Sequence, residues 1–314
     1  MNKLAVVAFG GNALLRAGQK GTISEQEKNA YDTCEKLVPL IQKGYNLVIT
    51  HGNGPQVGNI LLQNDGGKKI HGVPEMPLDI CGAYSQGFIG YIIEQQLRNA
   101  LEAKGMDEDI ITLITQVLVD KNDPAFSNPT KPIGPYYSKE EAEKLAKETN
   151  STYKEDAKGN GWRKVVASPS PNRIANRKSI AKLAREGNIV IAVGGGGIPV
   201  FYVEPHKLEG IDAVIDKDLA SSLLANQIGA DEFYIITDVP KVCINFNKPN
   251  EVKLDRLTIQ DAERYLAEGQ FGEGSMGPKV KACIQFVKNG GKEAIITIAD
   301  QLHNKEAGTI IVLN

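Results

Sequence analysis

Short apolar runs rich in β-branched residues punctuate the chain at 4–9, 46–50, 110–119, 188–193, 232–237 and 293–298, and stretches with helical periodicity separate most of them. Parallel strands need a long crossover between them, and a helix is the usual one. The alternation therefore predicts an α/β chain with a largely parallel sheet. Ser24-x-x-Glu27 and Ser138-x-x-Glu141 fit the capping box, in which two side chains satisfy each other's free backbone donors, and they sign two helix starts. Leu37, Leu40 and Ile41 continue the first helix, and Gly44 is its expected stop. Residues 122–170 break the rhythm, with Pro124, Pro129, Pro132, Pro135, Pro169 and Pro171, a charged helix from Ser138 and a turn at Gly159-Asn160-Gly161. That stretch reads as an insertion standing off the main sheet.

At 314 residues the chain suits one large α/β unit or two lobes, and 41% hydrophobic with 24% charged residues excludes a disordered or fibrous class. A formal charge of -2 offers no positive field for a nucleic-acid backbone, so no nucleic-acid partner is expected. Cys34, Cys81, Cys243 and Cys283 form no CxxC pair, which fits buried thiols in a reducing compartment. The apolar run that follows Met1-Asn2-Lys3 is too short for a signal-peptide core, and no run approaches the roughly twenty apolar residues of a membrane span. The expectation is a cytoplasmic protein with no membrane partner.

Three glycine-rich segments follow strands. Gly10-Gly11-Asn12 comes after the first, His51-Gly52-Asn53-Gly54-Pro55 after the second, and Gly194-Gly195-Gly196-Gly197 after the fourth. Each is open to two readings: a tight strand-to-helix turn, or a loop whose backbone N–H groups approach an anion without Cβ obstruction. Carboxyl ends of parallel strands share one edge, so the three loops should converge on one crevice and hold a phosphate or another compact anion. Lys217, between Asp216 and Asp218 where a short strand at 213–215 meets a helix, and Lys279, in the first turn of a helix after Gly274-Ser275-Met276, supply cations. A lysine is disfavoured by the dipole in a first turn, and an anionic ligand would account for it. No G-x-x-x-x-G-K-[ST] or G-x-G-x-x-G is present, and Ala83-Tyr84-Ser85-Gln86-Gly87 misses the nucleophile-elbow pattern and reads as helix surface or subunit contact. The histidines offer no i, i+4 metal pair.

Seven segments together resemble the carbamate kinases within the amino-acid kinase family. They are Phe9-Gly10-Gly11-Asn12-Ala13, His51-Gly52-Asn53-Gly54-Pro55-Gln56-Val57-Gly58, Glu75-Met76-Pro77-Leu78-Asp79, Asn128-Pro129-Thr130-Lys131-Pro132-Ile133-Gly134-Pro135, Gly194-Gly195-Gly196-Gly197-Ile198-Pro199, Val214-Ile215-Asp216-Lys217-Asp218 and Gly274-Ser275-Met276. The resemblance runs almost end to end. It implies a three-layer αβα sandwich around a mainly parallel sheet, a small protruding lid within about 122–170, and a homodimer. Residues 1–203 would form the carbamate or carbamoyl-phosphate lobe, and 204–314 the nucleotide lobe. The implied reaction is reversible phosphoryl transfer between ATP and carbamate, with Mg²⁺ beside the nucleotide, usually run toward ATP in fermentative arginine breakdown. The runner-up enzyme is another carboxylate kinase such as acetylglutamate kinase, and the non-enzymatic alternative is a sensor.

The roles that follow are expectations from that resemblance and the chemistry. Carbamate is already an anion at neutral pH, so its attacking oxygen needs no general base, and phosphoryl transfer needs positioning and cations instead. Gly10, Gly11, Asn12, Gly52, Asn53, Gly54, Gly195 and Gly196 are expected around the substrate and phosphoryl group. Lys131 and Lys217 are expected to flank the transferring group and Lys279 to reach the nucleotide phosphates from the other side, with Asp218 orienting the lysines. Asp216, Thr237, Asp238, Val239, Ser275 and Met276 are the expected nucleotide contacts. The sequence departs from the resemblance in places. Ala8 stands where many amino-acid kinases carry lysine, the segment from Glu155 to Arg163 is one residue longer and lacks an arginine, and Ala167-Ser168-Pro169 replaces Pro-Ser-Pro.

Overall fold

The computed structural model describes residues 2–314 except 17, 150, 157, 158 and 273. Eight strands form the main sheet in the spatial order Arg256–Thr258, Thr309–Val312, Glu293–Thr297, Glu232–Ile236, Leu4–Phe9, Asn46–His51, Ile189–Ile191, Ile110–Thr112. Pairing is parallel except between Glu293–Thr297 and Thr309–Val312. The central strand Leu4–Phe9 is buried along its whole length. Leu4, Val6 and Ala8 pack into one core with Leu224, Val280 and Phe286, while Ala5, Val7 and Phe9 enter a second with Leu37, Ile89 and Ile93. A strand covered on both faces has no polar side to show, which is why its sequence is unbroken apolar. These are the three layers of the expected αβα sandwich.

Strands from both sides of the 203/204 boundary lie in this one sheet, and both cores draw on both halves. The boundary itself falls inside the strand Ile198–Glu204. The two parts are thus halves of one sheet rather than separately folded bodies.

Several local expectations shift. The first helix is Ile23–Glu35, and its capping box is Thr22 with Glu25 rather than Ser24 with Glu27. Gly21, at φ +81°, makes the turn that places the extended cap residue immediately after it. The helix also stops before Leu37; a short second helix, Val38–Gln42, begins there because Pro39 fits a first turn and not an interior. Gly44 then turns the chain at φ +81°. The run 110–119 is two strands, since Gln116–Leu118 joins a separate four-stranded sheet with Ile198–Glu204, Lys207–Gly210 and Arg173–Ile174. At the break, Gln86 bonds both the N–H and the carbonyl of Thr115, and that carbonyl also accepts from the Ile198 N–H at 2.9 Å, where the second sheet begins. The expected strand at 213–215 reduces to one bridge between Ala213 and Ala167.

The insertion stands apart as expected. Lys131–Tyr137, Trp162–Val166 and Thr152–Glu155 make an antiparallel three-stranded sheet, with helix Lys139–Thr149 against it. The Ser138–Glu141 capping box is formed as predicted. The insertion leans on helix Gly54–His71, where a Cβ on Gly58 would lie 3.3 Å from the Gly134 Cα. Two residues of the lengthened tip, Ala157 and Lys158, lie outside the described residues.

Candidate active site

The sequence order reverses on either side of Leu4–Phe9: the chain builds outward through Asn46–His51 on one side, then returns to lay Glu232–Ile236 on the other. Such a switch point leaves a crevice outside the carboxyl ends of the strands. A cavity of about 310 Å³ lies there, lined by Gly10, Gly11, Ala13, Arg16, Thr33, Ile236, Thr237, Asp238, Lys279 and Ala299. Five expected site residues thus meet in one space.

The two glycines after the first strand differ in kind. A Cβ on Gly10 would fall 2.6 Å from the Ile236 carbonyl oxygen, so the close approach of the neighbouring strand excludes a side chain. A Cβ on Gly11 would meet nothing within 4 Å. The fold does not require glycine there, and the open space faces the cavity. The side chain of Asn12 lies outside the described residues.

The cations are organised by two aspartates. Asp216 caps helix Lys217–Gln227, its Oδ1 accepting from the N–H groups of Asp218 at 3.0 Å and Leu219 at 3.3 Å. Its Oδ2 accepts from Lys131 Nζ at 3.0 Å, which ties the insertion to the start of that helix. The geometry makes Asp216 a lysine partner and a helix cap, and it does not line the cavity. Asp218 is 3% exposed; its Oδ1 accepts from Lys217 and its Oδ2 from Lys279 at 3.3 Å. Burial pushes its carboxyl up, but Lys217 and Lys279 together outweigh that and hold it below the ordinary aspartate value. Among the described residues, three lysines on two aspartates leave one positive charge uncompensated in a half-buried place. An anion would supply what is missing.

Gly52 lets the Lys217 stem lie close to the backbone that follows Asn46–His51, whereas of this cluster only Lys279 lines the cavity. A Cβ on Gly52 would lie 3.2 Å from Lys217 Cδ, so the lysine stem passes over the glycine. His51 beside it is 2% exposed, and its Nδ1 lies 2.9 Å from the Gly52 carbonyl oxygen. Burial drives its pKa down to about 4, with Lys217 adding to the effect, so the imidazole is neutral near pH 7. The four consecutive glycines have packing reasons. Added Cβ atoms would come within 2.4 Å of His51 Nε2 from Gly194, 2.2 Å of Asn53 Nδ2 from Gly195, 2.3 Å of the Ile215 carbonyl oxygen from Gly196 and 2.2 Å of Val117 Cγ2 from Gly197. Gly195 and Gly196 thus form the floor beneath Asn53 and the Asp216 turn.

Of the expected nucleotide contacts, Thr237 and Asp238 line the cavity and bond each other, Thr237 Oγ1 donating to Asp238 Oδ1 at 3.1 Å. Ser275 precedes helix Met276–Lys288 without capping it, and its carbonyl accepts from Lys279 Nζ at 3.4 Å. Met276 is half-buried against the apolar core, and Val239 is half-buried; neither lines the cavity.

Sequence reasoning missed Arg16, a cation lining the cavity six places after Gly10. It also misplaced Ser85 and Gln86, which are 0% and 2% exposed rather than on the helix surface. Two polar residues side by side in the apolar helix Leu78–Glu102 were the available signal. Gln86 Nε2 donates to the carbonyls of Thr115 and Gly194, and Asn53 Nδ2 donates to Ser85 Oγ at 2.8 Å.

Among the described residues no group of three or more His, Cys, Asp or Glu side chains converges as a metal cage. Asp216 and Asp218 are engaged by lysines, and among the described residues Asp238 is the one carboxylate lining the cavity. That donor set fits a hard divalent cation held chiefly by phosphate oxygens and water, the manner in which Mg²⁺ accompanies nucleotides.

The amino acid kinase family model matches residues 3–297. A carbamate kinase of Pyrococcus horikoshii is 50% identical over 296 residues, covering 94% of each chain. One of Trichomonas vaginalis is 49% identical over 313 residues, covering 98% of this chain and 99% of the other. The solved carbamate kinase of Giardia lamblia bound to AMP-PNP superposes with a TM-score of 0.92 at 43% identity, covering 99% of this chain and 98% of that one.

Proposed function

The chain belongs to the amino acid kinase family, and from that premise we propose that it transfers a phosphoryl group reversibly between ATP and carbamate, through carbamoyl phosphate and ADP. The observation that carries this reading is the cluster of Lys131, Lys217 and Lys279 on Asp216 and Asp218, with one positive charge in excess beside a crevice at the sheet's switch point. Full-length likeness to carbamate kinases supports the choice of acceptor.

The mechanism follows from what a carboxylate acceptor needs. Carbamate attacks as an anion, so no residue has to remove a proton, and a neutral, buried His51 is consistent with that. Lys217 and Lys131 flank the transferring group from the substrate half, and Lys279 approaches from the nucleotide half. Charge spreading over the equatorial oxygens meets cations already held in place, so little reorganisation is needed in the transition state. Mg²⁺, when bound with the nucleotide, neutralises phosphate charge. Thr237 and Asp238 form the nucleotide side of the crevice, and the backbone at Gly10 and Gly11 faces the phosphates. The insertion delivers Lys131, so it acts as a lid over the acyl half.

A homodimer would cover Ile80, Tyr84, Phe88 and Tyr91, exposed at helical spacing along one face of Leu78–Glu102. The four cysteines are unpaired, which suits a reducing cytoplasm, and no described helix is long and apolar enough to cross a membrane. ATP formation is the expected physiological direction, in arginine breakdown. The deciding experiment is a coupled assay with ADP and carbamoyl phosphate, set beside ATP with acetylglutamate. ATP formation in the first and no ADP release in the second supports the proposal; the reverse overturns it, and tight ADP binding without either points to a sensor.

A further inference from the structure

Asn53 occupies the N-cap of the 18-residue helix Gly54–His71, yet its side chain makes no capping bond. Asparagine is favoured at an N-cap because its oxygen accepts from a first-turn N–H, a contact that contributes about 1 kcal/mol. Here that contact is forgone. The amide turns instead toward helix Leu78–Glu102, where Nδ2 donates to Ser85 Oγ at 2.8 Å. It lies flat on Gly195, since a Cβ added there would be 2.2 Å from Nδ2 and 2.7 Å from Oδ1.

The hydroxyl chemistry fixes which way the amide faces. Ser85 is fully buried, and its Oγ sits 2.6 Å from the Gly82 carbonyl oxygen, which can only accept. The single hydroxyl proton is therefore spent on Gly82, and Oγ is left as an acceptor. Only the NH₂ side of Asn53 can face an acceptor, so Oδ1 must face the other way. Asn53 is 9% exposed, and no described residue donates to its Oδ1, which is nevertheless not sealed from solvent. A mostly buried acceptor is thus held open beside Gly52, where the Lys217 stem passes.

We propose that Ser85 is a positioning residue that locks the Asn53 amide with its oxygen toward the acyl group, where it accepts from the amino group of the substrate and selects an amide N–H over a methyl. This rests on the phosphotransfer reading above and adds the source of its acyl specificity. Acetyl phosphate has the shape of carbamoyl phosphate with a methyl in place of the amino group. It cannot donate, and it leaves Oδ1 unpaired, the arrangement that costs most in a desolvated site. Without Ser85 the amide is free to flip and present NH₂, which a carbamoyl amino group cannot use.

The test compares kcat/KM for carbamoyl phosphate and acetyl phosphate, each with ADP and Mg²⁺. Ser85→Ala should lower the carbamoyl-to-acetyl ratio about tenfold, with KM for ADP within about twofold of wild type. Ser85→Thr, which keeps the hydroxyl, should restore the ratio. Asn53→Ala should lower it as far, and it reads the same acceptor should Ser85→Ala fail to fold. Equal losses on both substrates, with the ratio unchanged, overturn the assignment and leave Ser85 a packing residue. Wild-type protein that forms no ATP from carbamoyl phosphate overturns the phosphotransfer reading itself, whereas an active wild type with an unmoved ratio overturns only the role of Ser85.

Discussion

Lys279 reaches a carboxylate 61 residues away in sequence, its Nζ lying 3.3 Å from Asp218 Oδ2. The contact joins the start of helix Met276–Lys288 to the start of helix Lys217–Gln227, so two helix N-termini and two lysines all point positive charge at one place. Asp218 is what keeps that arrangement together, since a buried carboxylate with two cations is far less costly than either lysine left alone. Among the described residues the remaining charge is positive and unanswered. On the proposed reading, a transition state carrying spread negative charge answers it.

The Lys131–Asp216 pair allows the lid contact to be separated from the helix cap. Asn caps as well as Asp does, but it cannot form the ion pair. Asp216→Asn should therefore leave the melting temperature nearly unchanged and lower kcat, while Asp216→Ala should also cost about 0.5–2 kcal/mol of stability. Lys131→Ala should lower kcat about a hundredfold and leave ADP affinity nearly unchanged. Thermal melts, initial rates and ADP titrations check this; weakened ADP binding in Lys131→Ala would contradict a role confined to the acyl half.

Gly10 and Gly11 should respond oppositely to the same change. Gly11→Ala should fold with wild-type stability and lose most of its activity, because the added methyl meets no protein atom and enters the phosphate side of the crevice. Gly10→Ala should melt lower, because its methyl would sit 2.6 Å from the Ile236 carbonyl oxygen between paired strands. Full activity in a stable Gly11→Ala protein would remove that position from the site.

His51 sets a pH dependence of stability rather than of chemistry. In the unfolded chain it gains a proton as the pH falls through 6.5; in the folded protein it stays neutral to about 4. Between those values the unfolded state binds more protons, so stability falls as the pH falls, by up to about 3 kcal/mol at the lower end. His51→Gln should flatten this part of the profile. Melting temperatures of both proteins from pH 7 to 4.5 decide it: parallel curves would mean that His51 accepts a proton in the folded state.

Much of this was legible in the sequence because it depended on backbone patterning. The apolar run 4–9 announced a strand of a largely parallel sheet, and Ser138 with Glu141 marked the start of the helix that follows them. The insertion was visible from its prolines and thin periodicity. Contacts made by side chains distant in sequence were less accessible. Nothing in Asp216-Lys217-Asp218 tells which aspartate takes Lys131 and which takes Lys279, because that depends on how the helix start is oriented toward the insertion. The tetraglycine segment suggested a ligand loop, yet its glycines are each required by a neighbour, among them His51, Asn53 and Val117, that only the fold brings near. Ser85 and Gln86 were hidden for the same reason: helix periodicity describes which face is apolar, not which polar residue the core needs.

The central claim is that the aspartate-held lysines act on the transition state, and Lys217→Ala tests it most directly. Single-turnover rates with saturating ADP, Mg²⁺ and carbamoyl phosphate, together with equilibrium binding of ADP, separate chemistry from binding. The account predicts a loss of about 10²–10³-fold in the chemical rate, with ADP affinity close to wild type and a lowered melting temperature, because buried Asp218 loses its Lys217 partner. An unchanged chemical rate, with only KM for carbamoyl phosphate raised, would contradict it and make the cluster a binding site for the ground state alone.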